Sequence, residues 1–187
     1  MQILIITGPP YSGKGTQCEA LKAQLGFEHI STGERIRLEK ANTSEIGKQL
    51  AVYEEKGELV PDKMMKDLFS KILEENKDNA GVILDGYPRS IKQVDDLLEL
   101  VASKGLSIEK AIHIEVPKAE LLKRASKRAE TSNRVDDMDS EIHIKRIEVY
   151  ERSTKPAVEY MKSKIEVFTF DGLGTVEELT RKIAASL

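Results

Sequence analysis

The sequence predicts an α/β protein whose parallel β-sheet carries helices on both faces. Two observations lead to this prediction: short apolar stretches of strand length recur along the chain, and segments with the apolar spacing of helices lie between them. An alternation of strand and helix from the first residue to the last favours parallel strands joined by right-handed crossovers. The stretches predicted as strands are 3–6, 27–30, 81–85, 111–116 and 165–170.

The length and charge of the chain set the expected domain count and compartment. A chain of 187 residues can form one complete hydrophobic core, so we expect a single domain over 1–187. A formal net charge of −3 argues against a chain-wide basic surface for nucleic acid or for anionic membranes. The N-terminus has no basic leader and its apolar run is only a strand long, so we expect neither a signal peptide nor a transmembrane segment.

The cysteine and histidine content indicates a reducing compartment and no zinc. Cys18 is the only cysteine, which excludes an internal disulfide and a four-cysteine zinc site. His29, His113 and His143 are scattered without ligand spacing, and we expect surface or strand-end histidines rather than metal ligands. The sequence therefore predicts a cytoplasmic protein without zinc.

The first predicted strand leads into a glycine-rich turn that contains a lysine. Gly8, Gly13 and Lys14 have the spacing of a phosphate-binding loop, although the hydroxyl that usually follows the lysine comes one place late, at Thr16. Glycines let several backbone N–H groups converge on a phosphate, and a helix predicted over 16–25 would direct its N-terminus at the same anion. The alternative, a turn that binds nothing, does not explain the lysine.

The ends of the predicted strands place the candidate site, because ligands of parallel sheets bind at the carboxyl ends of the strands. The glycine loop follows one such end, and the sequence DGYPR at 85–89 follows another. Two further segments, 31–61 and 124–139, do not fit the minimal alternation. They could be solvated connections, but exclusion of water during phosphate transfer favours mobile inserts over a cleft. The core would then consist of 1–30, 62–123 and 140–187.

Five motifs, in order, resemble those of the adenylate kinases, a family of nucleoside monophosphate kinases. The Gly–Thr pair after the lysine is usual in that family, which accounts for the displaced hydroxyl. The motifs are GPPYSGKGT (8–16), HISTGERIR (29–37), GELVPD (57–62), DGYPRSIKQ (85–93) and RAETSNRVDD (128–137). The resemblance runs from Gln2 to the C-terminus. It implies a P-loop three-layer fold with a five-stranded parallel sheet of order 2-3-1-4-5, a monophosphate-binding insert at 31–61, a short zinc-free lid at 124–139, and a monomer.

The resemblance also implies reversible phosphoryl transfer between MgATP and AMP, giving two ADP. Such a reaction crowds negative charges, so catalysis depends on positioning and on cations, and arginine forks bind phosphate bidentately. No general base is needed, because the acceptor is already a phosphate anion. The implied catalytic residues are Lys14, Arg89, Arg128, Arg134 and Arg146. Asp85 is the carboxylate implied for Mg2+, through bound water; its alternative role is to cap the turn before Pro88.

By the same resemblance, the cleft divides into a donor and an acceptor side. The ATP side comprises Tyr11, Ser12, Gly13, Lys14, Gly15, Thr16, Arg124, Arg128 and Gly174. The AMP side comprises Thr32, Arg37, Glu58, Leu59, Val60, Gly86, Tyr87, Pro88, Arg89, Gln93, Arg134 and Arg146. Threonine at position 32 of the STG motif goes with adenine, whereas pyrimidine-directed relatives usually carry alanine. Gln93 could instead belong to a capping box with Ser90, since its amide can hardly serve both roles.

Some residues depart from the family pattern or have simpler explanations. Tyr11 stands where the family usually has glycine, and a positive φ there would cost about 1–2 kcal/mol. Arg146 lies one residue further from Arg134 than is usual, so Lys145 is an alternative for its role. Arg134 could pair with Asp137 in solvent, and Arg124 and Arg128 could be exposed helix cations. The alternative functions are a kinase for another monophosphate or a small metabolite, and a nucleotide-binding module that has lost catalysis.

Overall fold

The computed structural model describes residues 1–41, 45–130 and 139–187. It contains a five-stranded sheet in the order β2-β3-β1-β4-β5, with every pairing parallel. The strands are β1 (Gln2–Thr7), β2 (Glu28–Ser31), β3 (Gly81–Asp85), β4 (Ser107–Glu115) and β5 (Val167–Asp171). The predicted fold class and strand order are confirmed.

Helices cover both faces of this sheet and make it the middle of three layers. Alternate residues of β1 point to opposite faces: Ile3 and Ile5 belong to one apolar cluster, and Leu4 and Ile6 to the other. The helices are α1 (Lys14–Leu25), α2 (Thr32–Ala41), α3 (Glu45–Glu55), α4 (Asp62–Glu75), α5 (Ile91–Ser103), α6 (Lys118–Ala129), α7 (Ser140–Val149), α8 (Lys155–Lys162) and α9 (Val176–Ala184). A π-helical turn, Tyr150–Thr154, joins α7 to α8. No helix in the described part of the chain has the length and apolar character needed to cross a membrane.

Strand β4 is the element that differs most from its prediction. It begins at Ser107 rather than at 111, and pairs with β1 from Gln2 opposite Ser107 onward. Its first four residues alternate between exposed and half-buried, while the four from Ala111 are buried. The apolar stretch therefore marked only the buried part of the strand, because the polar half is held by backbone hydrogen bonding that leaves no apolar signal.

The histidines are more buried than expected. His113 is 2% exposed near the end of β4, and its Nε2 lies 3.2 Å from the Tyr150 hydroxyl oxygen. His143 is 5% exposed on α7 and contacts an aromatic ring, so its prediction as a surface or strand-end residue was wrong. Sequence spacing did not reveal this burial, because the packing partners are distant in the chain.

Candidate active site

A cleft of about 740 Å³ opens at the carboxyl ends of β1 and β3. Its walls are the loop after β1, the start of α1, helix α2, the loop after β3, and parts of α6 and α7. Of the predicted site residues, it is lined by Tyr11, Gly13, Lys14, Gly15, Thr16, Arg37, Glu58, Leu59, Asp85, Gly86, Arg89, Arg124, Arg128 and Arg146. The candidate residues from five separate motifs thus meet at one edge of the sheet.

The remaining predicted residues lie elsewhere. Ser12, Thr32, Val60, Tyr87 and Gln93 are buried behind the cleft wall, and Pro88 and Gly174 do not line the cleft. The Tyr87 ring stacks on Phe69 in the core, with 3.8 Å between ring centroids. Arg134 lies outside the described residues, together with the rest of 131–138.

The loop after β1 has the backbone of an anion cradle. Gly8 and Gly13 both have positive φ, and a Cβ on Gly8 would lie 2.5 Å from the carbonyl oxygen of Ile114. Helix α1 begins at Lys14, two residues earlier than predicted, so its first-turn N–H groups face the loop. The loop therefore offers backbone donors and a helix N-terminus to an anion.

Lys14 adds a cation to this cradle. Its Nζ donates a hydrogen bond to the carbonyl oxygen of Pro9, at 2.8 Å. Burial lowers the pKa of Lys14 to about 8, with the charge of Asp85 opposing that shift and the charge of Arg89 adding to it. The lowered pKa means that burial disfavours the charged form of Lys14. A phosphate bound in the cleft would stabilise that charged form.

Tyr11 occupies the glycine-like position of the loop and has φ 67°, so the positive φ suspected from the sequence is present. Its ring is 9% exposed and meets the His143 ring edge-on, with 5.1 Å between the ring centroids. The guanidinium carbon of Arg128 lies 5.4 Å from the centroid of the Tyr11 ring, in a cation–π contact. Tyr11 thus joins the phosphate loop to α6 and α7, a role that the local sequence did not reveal.

Replacing Tyr11 with glycine sets backbone strain against side-chain packing. Relief of the positive φ would return about 1–2 kcal/mol, whereas removal of a buried aromatic ring costs about 3 kcal/mol or more. We therefore expect Tyr11→Gly to lower the free energy of unfolding by about 2 kcal/mol, as measured by urea denaturation. Tyr11→Phe keeps the ring and should stay within about 1 kcal/mol of the unsubstituted protein. A Tyr11→Gly variant as stable as the parent would show that strain outweighs packing.

Arg89 is held at the end of β3 by contacts that do not depend on its charge alone. Its Nε donates to the carbonyl oxygen of Gly86. A Cβ on Gly86 would lie 2.7 Å from Arg89 Nη2, so the guanidinium packs where only glycine leaves room. The backbone oxygen of Arg89 accepts a hydrogen bond from Thr154 Oγ1 at 3.1 Å, on the π-helical turn. Thr154 was not predicted from sequence, because it lies 65 residues away.

Gln93 has both halves of its amide engaged. Its Oε1 accepts from the backbone N–H of Arg89 at 2.8 Å, and its Nε2 donates to Asp62 Oδ1 at 2.9 Å. Ser90 is the N-cap of α5, as the capping interpretation predicted, and accepts from the Gln93 N–H at 3.1 Å. The side chain of Gln93 reaches back to Arg89 rather than to Ser90, so the capping box is not complete.

The cations of α6 and α7 are placed by specific contacts. Arg124 bonds Glu120 on its own helix at 2.9 Å and also donates to the carbonyl oxygen of Gly172 at 2.9 Å, so it is not a free surface cation. The Arg146 stem packs beside Gly57, where a Cβ would lie 3.2 Å from Arg146 Cγ. Lys145, the alternative to Arg146, instead pairs with Glu58 at 2.9 Å and does not line the cleft.

Asp85 ends β3 beside two residues that sequence reasoning missed. His29 Nε2 lies 3.3 Å from Asp85 Oδ2, and His29 Nδ1 lies 2.6 Å from Glu19 Oε1. Burial raises the pKa of Asp85, but the hydrogen bond from His29 and the charge of Lys14 outweigh it, so the net pKa is below its usual range. Burial lowers the pKa of His29, but the bonds to Asp85 and Glu19 raise it further than burial lowers it. His29 precedes Ser31 by two residues, so both side chains lie on the same face of β2, and Ser31 pairs with Asp85; the sequence alone does not show this register.

Comparison with known proteins identifies the family. A family model described as adenylate kinase matches residues 6–166. The chain is 37% identical to an adenylate kinase of Bacteroides thetaiotaomicron, over 98% of this chain and 97% of the relative. It is 38% identical to an adenylate kinase of Bacteroides fragilis over the same shares, and 38% identical to one of Porphyromonas gingivalis over 97% of this chain and 93% of the relative. Identity at this level over nearly the whole of each chain confirms the resemblance carried by the five motifs, and the chain belongs to the adenylate kinase family.

Proposed function

We propose that this chain catalyses reversible phosphoryl transfer between MgATP and AMP, giving two ADP. The observation that carries the proposal is that one cleft is lined by cations from two different parts of the chain, which we assign to two anion-binding ends. Lys14 and the glycine loop form one end after β1, and Arg89 with Arg37 forms the other, after β3 and on α2. One nucleotide needs one such end, whereas two nucleotides that exchange a phosphoryl group need both.

The chemistry follows from the cations. Arg128 and Arg146 line the same cleft as Lys14 and Arg89, and together these cations would surround the transferred group, whose charge grows in the transition state. Lys14 is already held by the carbonyl oxygen of Pro9, whereas Arg128 lies in 124–139 and would reach its final position when that segment closes. Arg134 lies outside the described residues. Because of the family resemblance, we propose that it binds the transferred group together with these cations.

Mg2+ is the proposed cofactor, and Asp85 is the residue that would hold it through bound water. The fit rests on this chain: the Asp85 carboxylate lines the cleft, and its pKa is kept low enough for it to remain an anion. Gly15 leaves space in front of it, since a Cβ there would be 3.6 Å from Asp85 Oδ2. When bound, the ion neutralises the phosphates of the donor.

AMP is the proposed acceptor. Thr32 sits directly behind the acceptor end, where its Oγ1 donates to the carbonyl oxygen of Asp85 at 2.8 Å. The Gln93 amide is already hydrogen-bonded to Asp62 and to the backbone N–H of Arg89. To recognise adenine, it would have to break one of these bonds and form one with the base. We also propose that 31–61 and 124–139 close over the bound nucleotides, and that the enzyme acts as a cytoplasmic monomer.

The proposed reaction is tested by its stoichiometry. With ATP, AMP and Mg2+, we expect two ADP formed for each AMP consumed, and the reverse reaction from ADP alone, both followed by separation of the nucleotides. The matched control is Arg181→Ala, an exposed arginine on α9 outside the cleft, which should leave turnover unchanged. Tight ATP binding without any ADP formation would instead identify a nucleotide-binding module without catalysis.

A further inference from the structure

Three side chains at the base of the cleft bring together ligating atoms of three different kinds. Cys18 of α1, His29 of β2 and Asp85 of β3 each offer one such atom, and these atoms all lie within 4.8 Å of one another. His29 Nε2 and Asp85 Oδ2 are 3.3 Å apart. Zinc–ligand distances of about 2.0–2.3 Å in a tetrahedral site place neighbouring ligand atoms roughly 3.3–3.8 Å apart, so small side-chain shifts would suffice.

A fourth residue orients this cluster. Glu19 Oε1 lies 2.6 Å from His29 Nδ1, on the side of the ring away from Asp85. The Glu19 carboxylate on Nδ1 orients the ring as carboxylates do around histidine ligands of metals, and Nε2 can ligate once it gives up the proton that it shares with Asp85. The side chain of Glu19 is 66% exposed, so it can be exchanged without disturbing the core.

The cluster is closed on one side and open on the other. Cys18 lies on α1 and is fully buried, while His29 and Asp85 both line the cleft. Three protein ligands and one position facing solvent form the coordination of an open zinc site. The donor set of sulfur, nitrogen and oxygen favours a borderline-soft ion over Mg2+, which prefers oxygen alone.

We propose that Cys18, His29 and Asp85 form a binding site for a thiophilic divalent transition metal, Zn2+ above all, with Glu19 orienting His29. The thiol proton of Cys18 and the Nε2 proton of His29 both pass to solvent as the metal–sulfur and metal–nitrogen bonds form. Burial raises the pKa of the Cys18 thiol far above its usual range, so the thiol stays protonated until a metal arrives. The expectation of a zinc-free chain rested on sequence spacing, which does not register ligands drawn from three separate elements.

Occupancy would also affect turnover, a consequence that rests on the proposed function. Asp85 is the carboxylate proposed for Mg2+. A transition metal held by Cys18 and His29 would also bind Asp85 and make it unavailable to Mg2+. Zn2+ is therefore expected to inhibit the enzyme at fixed MgATP, through this cluster. The binding measurements below use no nucleotide and do not depend on the reaction.

The test is metal binding to the full chain, with Co2+ and then Zn2+ as probes. We expect one equivalent of Co2+ to give tetrahedral visible bands and a thiolate-to-cobalt charge-transfer band, both lost when Zn2+ displaces it. Cys18→Ser should abolish the charge-transfer band and weaken Zn2+ binding at least 100-fold. Glu19→Gln should keep the band and weaken binding about 10-fold. His143→Gln, a buried histidine outside the cluster, is the matched control and should bind like the parent.

Clear results would overturn the proposal. They are a parent protein that shows no thiolate-to-cobalt band, or Zn2+ affinity that is equal in the parent and in a folded Cys18→Ser variant. Should Cys18→Ser fail to fold, Glu19→Gln decides, because its substitution is at the surface; unchanged Zn2+ affinity there would contradict the arrangement. In the activity assay, equal Zn2+ sensitivity of the parent and of Cys18→Ser would contradict inhibition through this cluster.

Discussion

Arg89→Ala is expected to lower kcat by about 10³-fold, since it removes a charged fork that we propose binds the acceptor phosphate as charge develops on the transferred group. The fold should survive the change. The hydrogen bonds from Arg89 N–H to Gln93 and from Thr154 to the Arg89 carbonyl use backbone atoms, and alanine retains them. Steady-state kinetics with ATP and AMP gives the rate, and urea denaturation confirms cooperative unfolding.

Arg89→Lys separates charge from geometry. Lysine keeps the positive charge but loses the planar fork, so we expect a rate between those of the parent and of Arg89→Ala. Arg181→Ala on α9 again serves as the control. A cooperatively folded Arg89→Ala variant with the parental kcat would remove Arg89 from the site.

Lys14→Met is expected to abolish turnover and, at the same time, to stabilise the free protein. Burial lowers the pKa of Lys14 to about 8 from 10.5, so the charged form is disfavoured in the folded state. The shift corresponds to about 3 kcal/mol if taken whole; because the side chain is only partly buried and lines an open cleft, we expect about 1–2 kcal/mol. We expect activity to fall by at least about 10³-fold, because in the proposed function Lys14 is the cation that binds the donor phosphates.

The pH dependence of this stabilisation has a definite sign. Between pH 8 and 10.5 the unfolded chain holds the Lys14 proton more often than the folded chain, so parental stability gains with rising pH. The cost of the buried charge is therefore full below pH 8 and vanishes above pH 10.5. Urea denaturation of Lys14→Met and of the parent at pH 7 and pH 10.5 should show a gap that closes. An equal gap at both values, or parental stability at pH 7, would contradict this account of Lys14.

The sequence predicted those parts of the fold that are fully buried. The β3 stretch 81–85 matches the strand, because its first four residues are buried and bounded by turns. The start of β4 was missed because its polar residues are held by backbone pairing alone. Strands β2 and β5 were displaced by one or two residues, since their residues are mostly half-buried and partly polar.

The residues of the candidate site that could be predicted are those that lie close together in the sequence, within recognisable motifs. The loop from Gly8, the cation Lys14 and the pair Asp85 and Arg89 could be placed from local sequence, and all meet in one cleft. The contacts that support them could not be placed. Tyr11 meets His143 across 132 positions, and Thr154 meets Arg89 across 65, and no local pattern encodes either pair. The family resemblance implied roles for the site residues, and only the structure shows which side chains pack against them.

The central claim, a two-nucleotide site that takes AMP as its acceptor, is tested most directly by an acceptor panel. AMP, UMP, CMP and GMP are each supplied at equal concentration with ATP and Mg2+, and kcat/KM is measured for each. A hydrogen-bonding group of the base that is buried without a partner costs about 1–3 kcal/mol. We therefore predict that kcat/KM for AMP exceeds that for the other three monophosphates by roughly 10- to 100-fold. A kcat/KM for AMP no higher than that for UMP, CMP or GMP would contradict it.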